Sequence, residues 1–344
     1  MPVTIGAIGL GLLGQIQLEL AAEREDTTIL TGADVAPEAR ETFEDDFDAP
    51  AYEDYQEMLE KHGEGLDVVF IVSPHTLHYE HAKACLEAGA HVHLEKPMTT
   101  DVSDAQALID LAADRDLVLQ IGYQRHFHPG YIELKRIVDS GRLGELHTVS
   151  AYMGQRWITT QRGTWRTDPS LSGGGQFYDS GSHLVDTLLW VTGGEPKSVA
   201  AIMDYYDADV DVNSALTATL EGSDRPITVS IGISGDGKGD SPNEGIHIWG
   251  TEGRVSYEEP MLTVDEYDGQ MYTTEVTDDL SFVTLTREKL TSFFGAVHGE
   301  NEIAVDGEFG LQVTAFTEAA YHAAETERVV DVGSFLEESS TTDE

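Results

Sequence analysis

Val3-Thr4-Ile5-Gly6-Ala7-Ile8-Gly9-Leu10-Gly11-Leu12-Leu13-Gly14 opens with an apolar run and breaks into three glycines spaced G-x-G-x-x-G. Val3–Ile8 reads as a buried strand. Leu12–Arg24, apolar near every 3.6 residues, reads as the helix that follows. A glycine triplet between a strand and a helix is the phosphate-binding turn of dinucleotide folds. Gly9 permits the tight turn, Gly11 lets a pyrophosphate approach the backbone, and Gly14 lets helix and strand close on each other. The helix N-terminus adds N–H groups and partial positive charge. A second predicted strand, Thr28–Ala33, ends at Asp34, twenty residues beyond Gly14. A carboxylate there accepts hydrogen bonds from both hydroxyls of an adenosine ribose and repels a 2′-phosphate. Val35, Ala36 and Pro37 offer a phosphate nothing, and Arg40 is the nearest base. The expected cofactor is NAD in preference to NADP.

Working outward, strands and helices keep alternating. Helices are predicted at Pro37–Phe47, Tyr52–Lys61, His78–Ala88 and Asp101–Arg115, and strands at Asp67–Val72, Ala90–Leu94 and Leu117–Ile121. That rhythm implies a parallel sheet covered on both faces. Beyond a helix at Pro129–Ser140 the pattern changes. Strands alternating in the manner of half-exposed antiparallel sheet are expected from Leu146, near Ser198–Tyr206, Ser214–Glu221, Ile227–Ile233, Ile246–Trp249, Gly253–Tyr257, Leu262–Tyr267 and Tyr272–Val276. One helix near His183–Val191 interrupts them, Asp236–Asp240 is a loop, and helices near Thr286–His298 and Glu308–Thr326 follow. The expected fold class is α/β plus α+β. A Rossmann domain over residues 1–122 precedes an open, mostly antiparallel sheet domain over 123–336, and residues 337–344 form a frayed acidic tail.

Sixty-three Asp and Glu oppose 20 Lys and Arg in 344 residues, a formal net charge of −43. A hydrophobic fraction of 40% supplies a core, which excludes general disorder. A surface so acidic repels phosphates, so neither nucleic acid nor an anionic membrane is an expected partner. In dilute salt the self-repulsion weakens the compact state, whereas at about 1 M salt the Debye length is roughly 3 Å and the repulsion is screened. The acids spread along the whole chain, so the composition predicts a cytoplasmic protein of a high-salt cytosol. Cys85 is the single cysteine, which precludes an internal disulfide, and its spacing from His78 and His81 reads as helix core. The run Ile5–Gly14 is far short of the roughly 20 residues of a membrane helix, and no basic region precedes it, so neither a span nor a signal peptide is expected.

Two segments carry reactive side chains. Glu95-Lys96-Pro97 follows a strand of the first domain, and ligands gather outside the carboxyl ends of parallel strands. Within Gly173-Gly174-Gly175-Gln176-Phe177-Tyr178-Asp179-Ser180-Gly181-Ser182-His183, Asp179 and His183 stand i, i+4 and share one helix face. A histidine with a carboxylate neighbour serves as general acid or base near neutral pH. Tyr152, Arg156, Trp157, Arg162 and Trp165, with Arg125 and His126, are candidate substrate contacts, because they combine flat apolar faces with hydrogen-bonding tips; Met153–Thr164, which contains no acid in so acidic a chain, adds the look of a ligand-facing loop. No ligand-spaced set of His, Asp and Glu suggests a metal.

In order, GLGLLG, Ser73-Pro74-His75-Thr76-Leu77-His78, Ala88-Gly89-Ala90-His91-Val92-His93-Leu94-Glu95-Lys96-Pro97, Ser140-Gly141-Arg142-Leu143-Gly144-Glu145, Trp165-Arg166 and Asp179…His183 span roughly residues 3 to 192. With this set the chain resembles the Gfo/Idh/MocA oxidoreductases, which include sugar, polyol and cyclitol dehydrogenases. The resemblance implies that Lys96, Asp179 and His183 surround the substrate. It places the Leu12 and Leu13 backbone at the pyrophosphate, with Ser73, Pro74 and His78 along the dinucleotide. The Glu95 backbone falls near the nicotinamide ribose, and Arg166 at the nicotinamide amide or the substrate. Many members carry Asn where this chain has His75, so the backbone path past the cofactor carries over and the side-chain contact does not.

The implied reaction is reversible oxidation of a secondary alcohol of a sugar, sugar acid or cyclitol. His183 is the base, Lys96 the stabiliser of the reacting oxygen, and Asp179 the group that orients substrate or imidazole. The resemblance also implies a homodimer or homotetramer built through the exposed sheet face. An enzyme that holds NAD tightly through glycosidic cleavage or sugar–sugar redox exchange fits the same residues. So does a non-catalytic NAD-sensing regulator.

Overall fold

The computed structural model describes residues 2–237, 243–278 and 281–340, which gather into two units. The first comprises Met1–Thr99, Ser103–Gln124 and Ser281–Leu311, and the second Thr100–Val102, Arg125–Leu280 and Gln312–Glu344.

In the first unit β1 (Val3–Ile8), α1 (Leu12–Ala22), β2 (Thr27–Ala33), α2 (Pro37–Phe47), β3 (Ala51–Tyr52), α3 (Tyr55–His62), β4 (Val68–Ile71), α4 (His78–Glu87), β5 (His91–Leu94), α5 (Val102–Asp114) and β6 (Leu119–Ile121) follow in order. The strands form one parallel sheet in the order β3-β2-β1-β4-β5-β6. Every residue of β4 is buried, as expected of a sheet covered on both faces. Strand order reverses between β1 and β4, and the carboxyl ends of these two strands frame the binding crevice of such sheets. The helix expected over Tyr52–Lys61 divides. Ala51–Tyr52 pairs with β2 as a short edge strand, and the Asp54 carboxylate starts the helix later by accepting from Gln56 N at 2.8 Å.

In the second unit α6 (Pro129–Asp139) leads to β7 (Leu146–Gly154), α7 (Trp157–Gln161), α8 (Pro169–Ser172) and α9 (Ser182–Thr192). The strands β8 (Glu195–Asp204), β9 (Asn213–Glu221), β10 (Ile227–Ser234), β11 (Asn243–Gly250), β12 (Gly253–Glu258), β13 (Met261–Glu266) and β14 (Met271–Glu275) come next. With β7 and a short later strand, β15 (Val330–Asp331), they form a nine-stranded sheet, β14-β13-β12-β11-β7-β10-β9-β8-β15, in which only β7 and β10 pair in parallel. Leu216, Ala218 and Leu220 of β9 and Ile227, Val229, Ile231 and Ile233 of β10 point into the core, while Thr217, Thr228 and Ser230 alternate with them on the open face.

Two features escape a reading along the chain. The first unit also takes in α10 (Phe282–Val297). Its Leu290, Phe293 and Phe294 join Ile5, Leu18, Phe43 and Phe70 in one buried cluster, so hydrophobic packing and not chain order decides its place. After α11 (Gly307–Thr326), a short strand β15 (Val330–Asp331) pairs with β8 and leads into α12 (Val332–Ser340), where the tail was expected to begin fraying at residue 337. Residues 341–344 of that tail and Lys238–Asp240 of the expected loop lie outside the described residues. The remaining expected helices and strands sit within four residues of their predicted bounds. Among the described residues, no helix is long and apolar enough to cross a membrane.

Candidate active site

The glycine turn has the shape its spacing demands. Gly9 sits at φ +94°, where a side chain is disfavoured, and a Cβ there would stand 2.6 Å from the Val72 carbonyl oxygen. A Cβ on Gly14 would lie 2.1 Å from the Gly9 carbonyl oxygen, so α1 closes on the turn only without one. Gly11 has open space in front of it. No side chain caps α1 at Gly11, and its first-turn N–H groups are left for an anion. Leu12, at that turn, is exposed, and Leu13 half-buried.

Asp34 ties this turn to the next strand. Its Oδ2 accepts from Leu10 N at 2.7 Å and its Oδ1 from Ala36 N at 2.8 Å. A carboxylate has about four lone-pair sites, so acceptor capacity remains for ribose hydroxyls. Arg40 donates from Nη1 to the carbonyl oxygens of Asp34 (2.7 Å) and Val35 (3.0 Å) and lies 3.6 Å from Glu53. An open glycine turn, an uncapped helix and an acceptor at the second strand end fit a dinucleotide.

Ser73, Pro74 and His75 leave β4 at the crevice, and α4 starts at His78. The buried His78 ring bridges two backbone segments, with Nδ1 2.7 Å from the Pro97 carbonyl oxygen and Nε2 2.9 Å from that of Ser73. The Ser73 hydroxyl meets His81 Nδ1 at 2.8 Å, and burial lowers the His81 pKa to about 4, so that ring is neutral at pH 7. His75 is buried and packs edge-on to His78, 5.8 Å between ring centres.

Glu95 follows β5 with its side chain turned inward. Lys289 Nζ and Gln17 Nε2 (2.6 Å) donate to its Oε1, and His93 Nε2 lies 3.8 Å away. Burial alone would push this carboxyl up; the Lys289 ammonium overcomes that and holds it well below the usual carboxylate range. Removing one partner of a buried pair costs on the order of 3–5 kcal/mol. Lys289 is 1% exposed. Sequence reasoning missed it, although a signal exists: Leu285, Lys289 and Phe293 form an i, i+4 row on the buried face of α10.

In the second unit the glycine-led segment becomes a π-helical turn, Phe177–Gly181, continuing into α9. Such turns frequently mark functional sites. This one presents Asp179, which is 7% exposed. Its Oδ2 accepts from Trp157 Nε1 at 2.7 Å and lies 3.3 Å from Arg166 Nε. The Arg166 guanidinium stacks over Trp165, 4.4 Å from the ring centre. Trp157, Trp165, Arg166 and Asp179 therefore come together as one cluster. His183 lies on the first turn of α9, and Thr187 donates to its carbonyl oxygen at 2.7 Å.

Arg125 is placed differently from its expected role. It is buried and paired with Glu244, whose Oε1 also accepts from Tyr131 OH at 2.7 Å. Its Nη1 reaches Thr187 Oγ1 at 3.4 Å, so its charge is neutralised inside the unit and it touches α9. His126 Nε2 meets Asp186 at 2.8 Å, with Trp190 stacked on the ring.

A buried carboxylate fixes the segment ahead of Asp179. Asp211 accepts from Gly175 N (2.7 Å), Phe177 N (2.8 Å) and Tyr321 OH. Tyr178 stacks on Tyr321 and donates to Glu318 Oε1 at 2.6 Å. Burial raises the Glu318 carboxyl from 4.5 to about 7. Between those values the folded chain binds more protons at this site than the unfolded chain, so its contribution weakens stability as pH rises and levels off above pH 7. Glu318→Gln is therefore expected to be more stable than wild type at pH 8 by on the order of 1 kcal/mol, and to remove part of the slope between pH 4.5 and 7. Thermal unfolding of both proteins across that range checks it; equal stability at pH 8 with an unchanged slope would contradict it.

The sequence model described as the oxidoreductase family with an NAD-binding Rossmann fold matches residues 3–123, and the GFO/IDH/MocA C-terminal domain matches residues 131–256. Together they cover well over half of the chain. The chain belongs to the GFO/IDH/MocA oxidoreductase family. Its first unit is thus an NAD-binding Rossmann fold. Among curated family relatives, a scyllo-inositol 2-dehydrogenase (NADP(+)) of Bacillus subtilis is 26% identical over 238 residues, 65% of this chain and 64% of that one. A D-xylose 1-dehydrogenase [NADP(+)] of Haloarcula marismortui is 26% identical over 346 residues, 96% of this chain and 93% of that one. Of the solved structures, levoglucosan dehydrogenase in complex with NADH superposes with a TM-score of 0.86 at 20% identity, over 96% of this chain and 99% of that one. At that identity the likeness speaks for the fold.

Proposed function

We propose that this oxidoreductase interconverts a secondary alcohol and its ketone on a sugar, sugar acid or cyclitol, using NAD. The family membership carries the reading, and full-length similarity to a sugar dehydrogenase supports the substrate class. The cofactor, when bound, takes up or returns the hydride. His183 takes the hydroxyl proton as general base. Lys96 donates a hydrogen bond to the reacting oxygen and stabilises the charge that develops there. Asp179 acts from the cluster with Trp157 and Arg166, orienting the substrate or the imidazole. The Leu12 and Leu13 backbone holds the pyrophosphate, with Ser73, Pro74 and His75 passing along it. Trp165 offers a flat apolar face to a polyol ring.

The net charge of −43 supports a protein of a high-salt cytosol, and family membership is the ground for a homodimer or homotetramer built through the open face of the nine-stranded sheet. The test is reduced-nicotinamide formation at high KCl, with NAD and NADP each offered against aldoses, sugar acids, polyols and inositols. Turnover with one substrate class is expected, faster with NAD. Folded, NAD-binding protein without turnover on any pair would move the reading to an enzyme that keeps its cofactor bound, or to an NAD sensor.

A further inference from the structure

We infer that Lys289 is a positioning residue that acts through Glu95 to hold Lys96 in place. The inference rests on the role given above to Lys96.

Four elements of the first unit converge on one carboxylate. Glu95, just past β5, receives Lys289 Nζ from α10 and Gln17 Nε2 from α1. Lys289 Nζ also donates to the Gly122 carbonyl oxygen at 3.3 Å, and the Lys289 carbonyl oxygen accepts from Gln120 Nε2 at 3.2 Å, which brings in the end of β6. A Cβ on Gly122 would lie 2.8 Å from Glu95 Cδ, so the carboxylate lies directly against that backbone. On the other side of Lys96, the Pro97 carbonyl oxygen is 2.7 Å from His78 Nδ1, and the same ring reaches Ser73. Lys96 thus stands between two neighbours whose positions are fixed by buried polar contacts.

Stability alone gives little reason for such a pair. Replacing a buried ion pair by neutral side chains of similar volume is often neutral or stabilising. Lysine is also scarce here: only seven occur in 344 residues, and one of them stands at a core position of a helix. What an ion pair with several donors adds is a single, sharply defined position. A reacting group displaced by about 1 Å can lose roughly 10²-fold in rate. The pair anchors the residue before Lys96, while His78 anchors the one after it.

Lys289→Met leaves Glu95 buried without a counter-charge. The double variant Glu95→Gln/Lys289→Met removes both charges at nearly constant volume and is expected to fold. Thermal unfolding, NAD affinity from quenching of protein fluorescence, and kcat and KM for the alcohol are measured for both. The double variant is expected to unfold close to wild type and to bind NAD within about 3-fold, with kcat lowered about 10- to 10²-fold. Lys289→Arg, which keeps charge and donors, recovers most of the rate. Wild-type kcat in the double variant would overturn the inference. So would kcat and NAD affinity falling in parallel, or failure of both Met variants to fold, which would make the pair purely structural. Lys96→Met separates this inference from the reading beneath it: unchanged turnover there defeats the role of Lys96 itself, whereas lost turnover there with unaffected Lys289 variants defeats only the anchoring.

Discussion

Lys96→Met is expected to lower kcat by about 10³-fold while NAD affinity stays within about 3-fold of wild type. The magnitude follows from the role. A donor aimed at developing negative charge is worth roughly 10²–10³ in kcat, and a general base roughly 10²–10⁴. His183→Ala should therefore fall in the same range, and the double variant should lose less than the product of the two, because the roles proposed for the two groups concern one reacting oxygen. Cofactor affinity is expected to be spared because the groups proposed to bind the other end of the dinucleotide, the glycine turn, the uncapped first turn of α1 and Asp34, are left intact. Stopped-flow turnover and fluorescence titration measure the two quantities separately. Retention of kcat within about 5-fold in both single variants would remove these residues from the chemistry and favour an NAD sensor.

Asp34→Ser is expected to shift the ratio of kcat/KM for NAD over NADP by about 30- to 100-fold towards NADP. A carboxylate about 4 Å from a 2′-phosphate repels it by several kcal/mol at an effective dielectric constant near 20, of which a partly exposed site retains about 2 kcal/mol. Serine keeps an acceptor for Ala36 N, so the strand end survives, whereas Leu10 N loses its partner and NAD affinity itself should fall. Arg40 is the cation nearest to serve a phosphate, but it is committed to the carbonyl oxygens of Asp34 and Val35, so the NADP gained should stay modest in absolute terms. A wild-type enzyme that prefers NADP, or a ratio unmoved by the substitution, would contradict the role assigned to Asp34.

The parallel sheet is legible because its signals are local: an apolar strand, a glycine turn and an amphipathic helix repeat within a few residues of one another. The antiparallel strands are legible for the same reason, through a period of two. The parallel pairing of β7 with β10 is not, because alternation identifies a strand and not its neighbour. Nor does sequence order reveal α10 inside the first unit, since what carries it there is the packing of Phe293 and Phe294 on Phe70. The site divides along the same line. Gly9, Gly11, Gly14 and Asp34 announce themselves by spacing. Trp157 stands out in a stretch without acids and Arg166 in the Trp165-Arg166 pair, yet neither signal hints that both face Asp179. Arg125 reads along the chain as a candidate substrate contact, and only the structure shows Glu244, more than a hundred residues away, paired with it. Asp211 is hidden by composition: among 63 acids, one more in an acidic loop reads as surface charge, and only its three buried donors distinguish it.

The central claim is hydride transfer between a carbinol carbon and nicotinamide, and isotopic labelling tests it most directly. A sugar or inositol found active in the substrate panel is prepared with deuterium on the oxidised carbon and converted at high KCl in the presence of NAD. The account predicts one deuterium in the NADH formed, none in solvent, and a slower rate than with the protiated substrate wherever hydride transfer limits turnover. Ketone formed with the label washed into water, or consumption of the sugar without any labelled NADH, would contradict it.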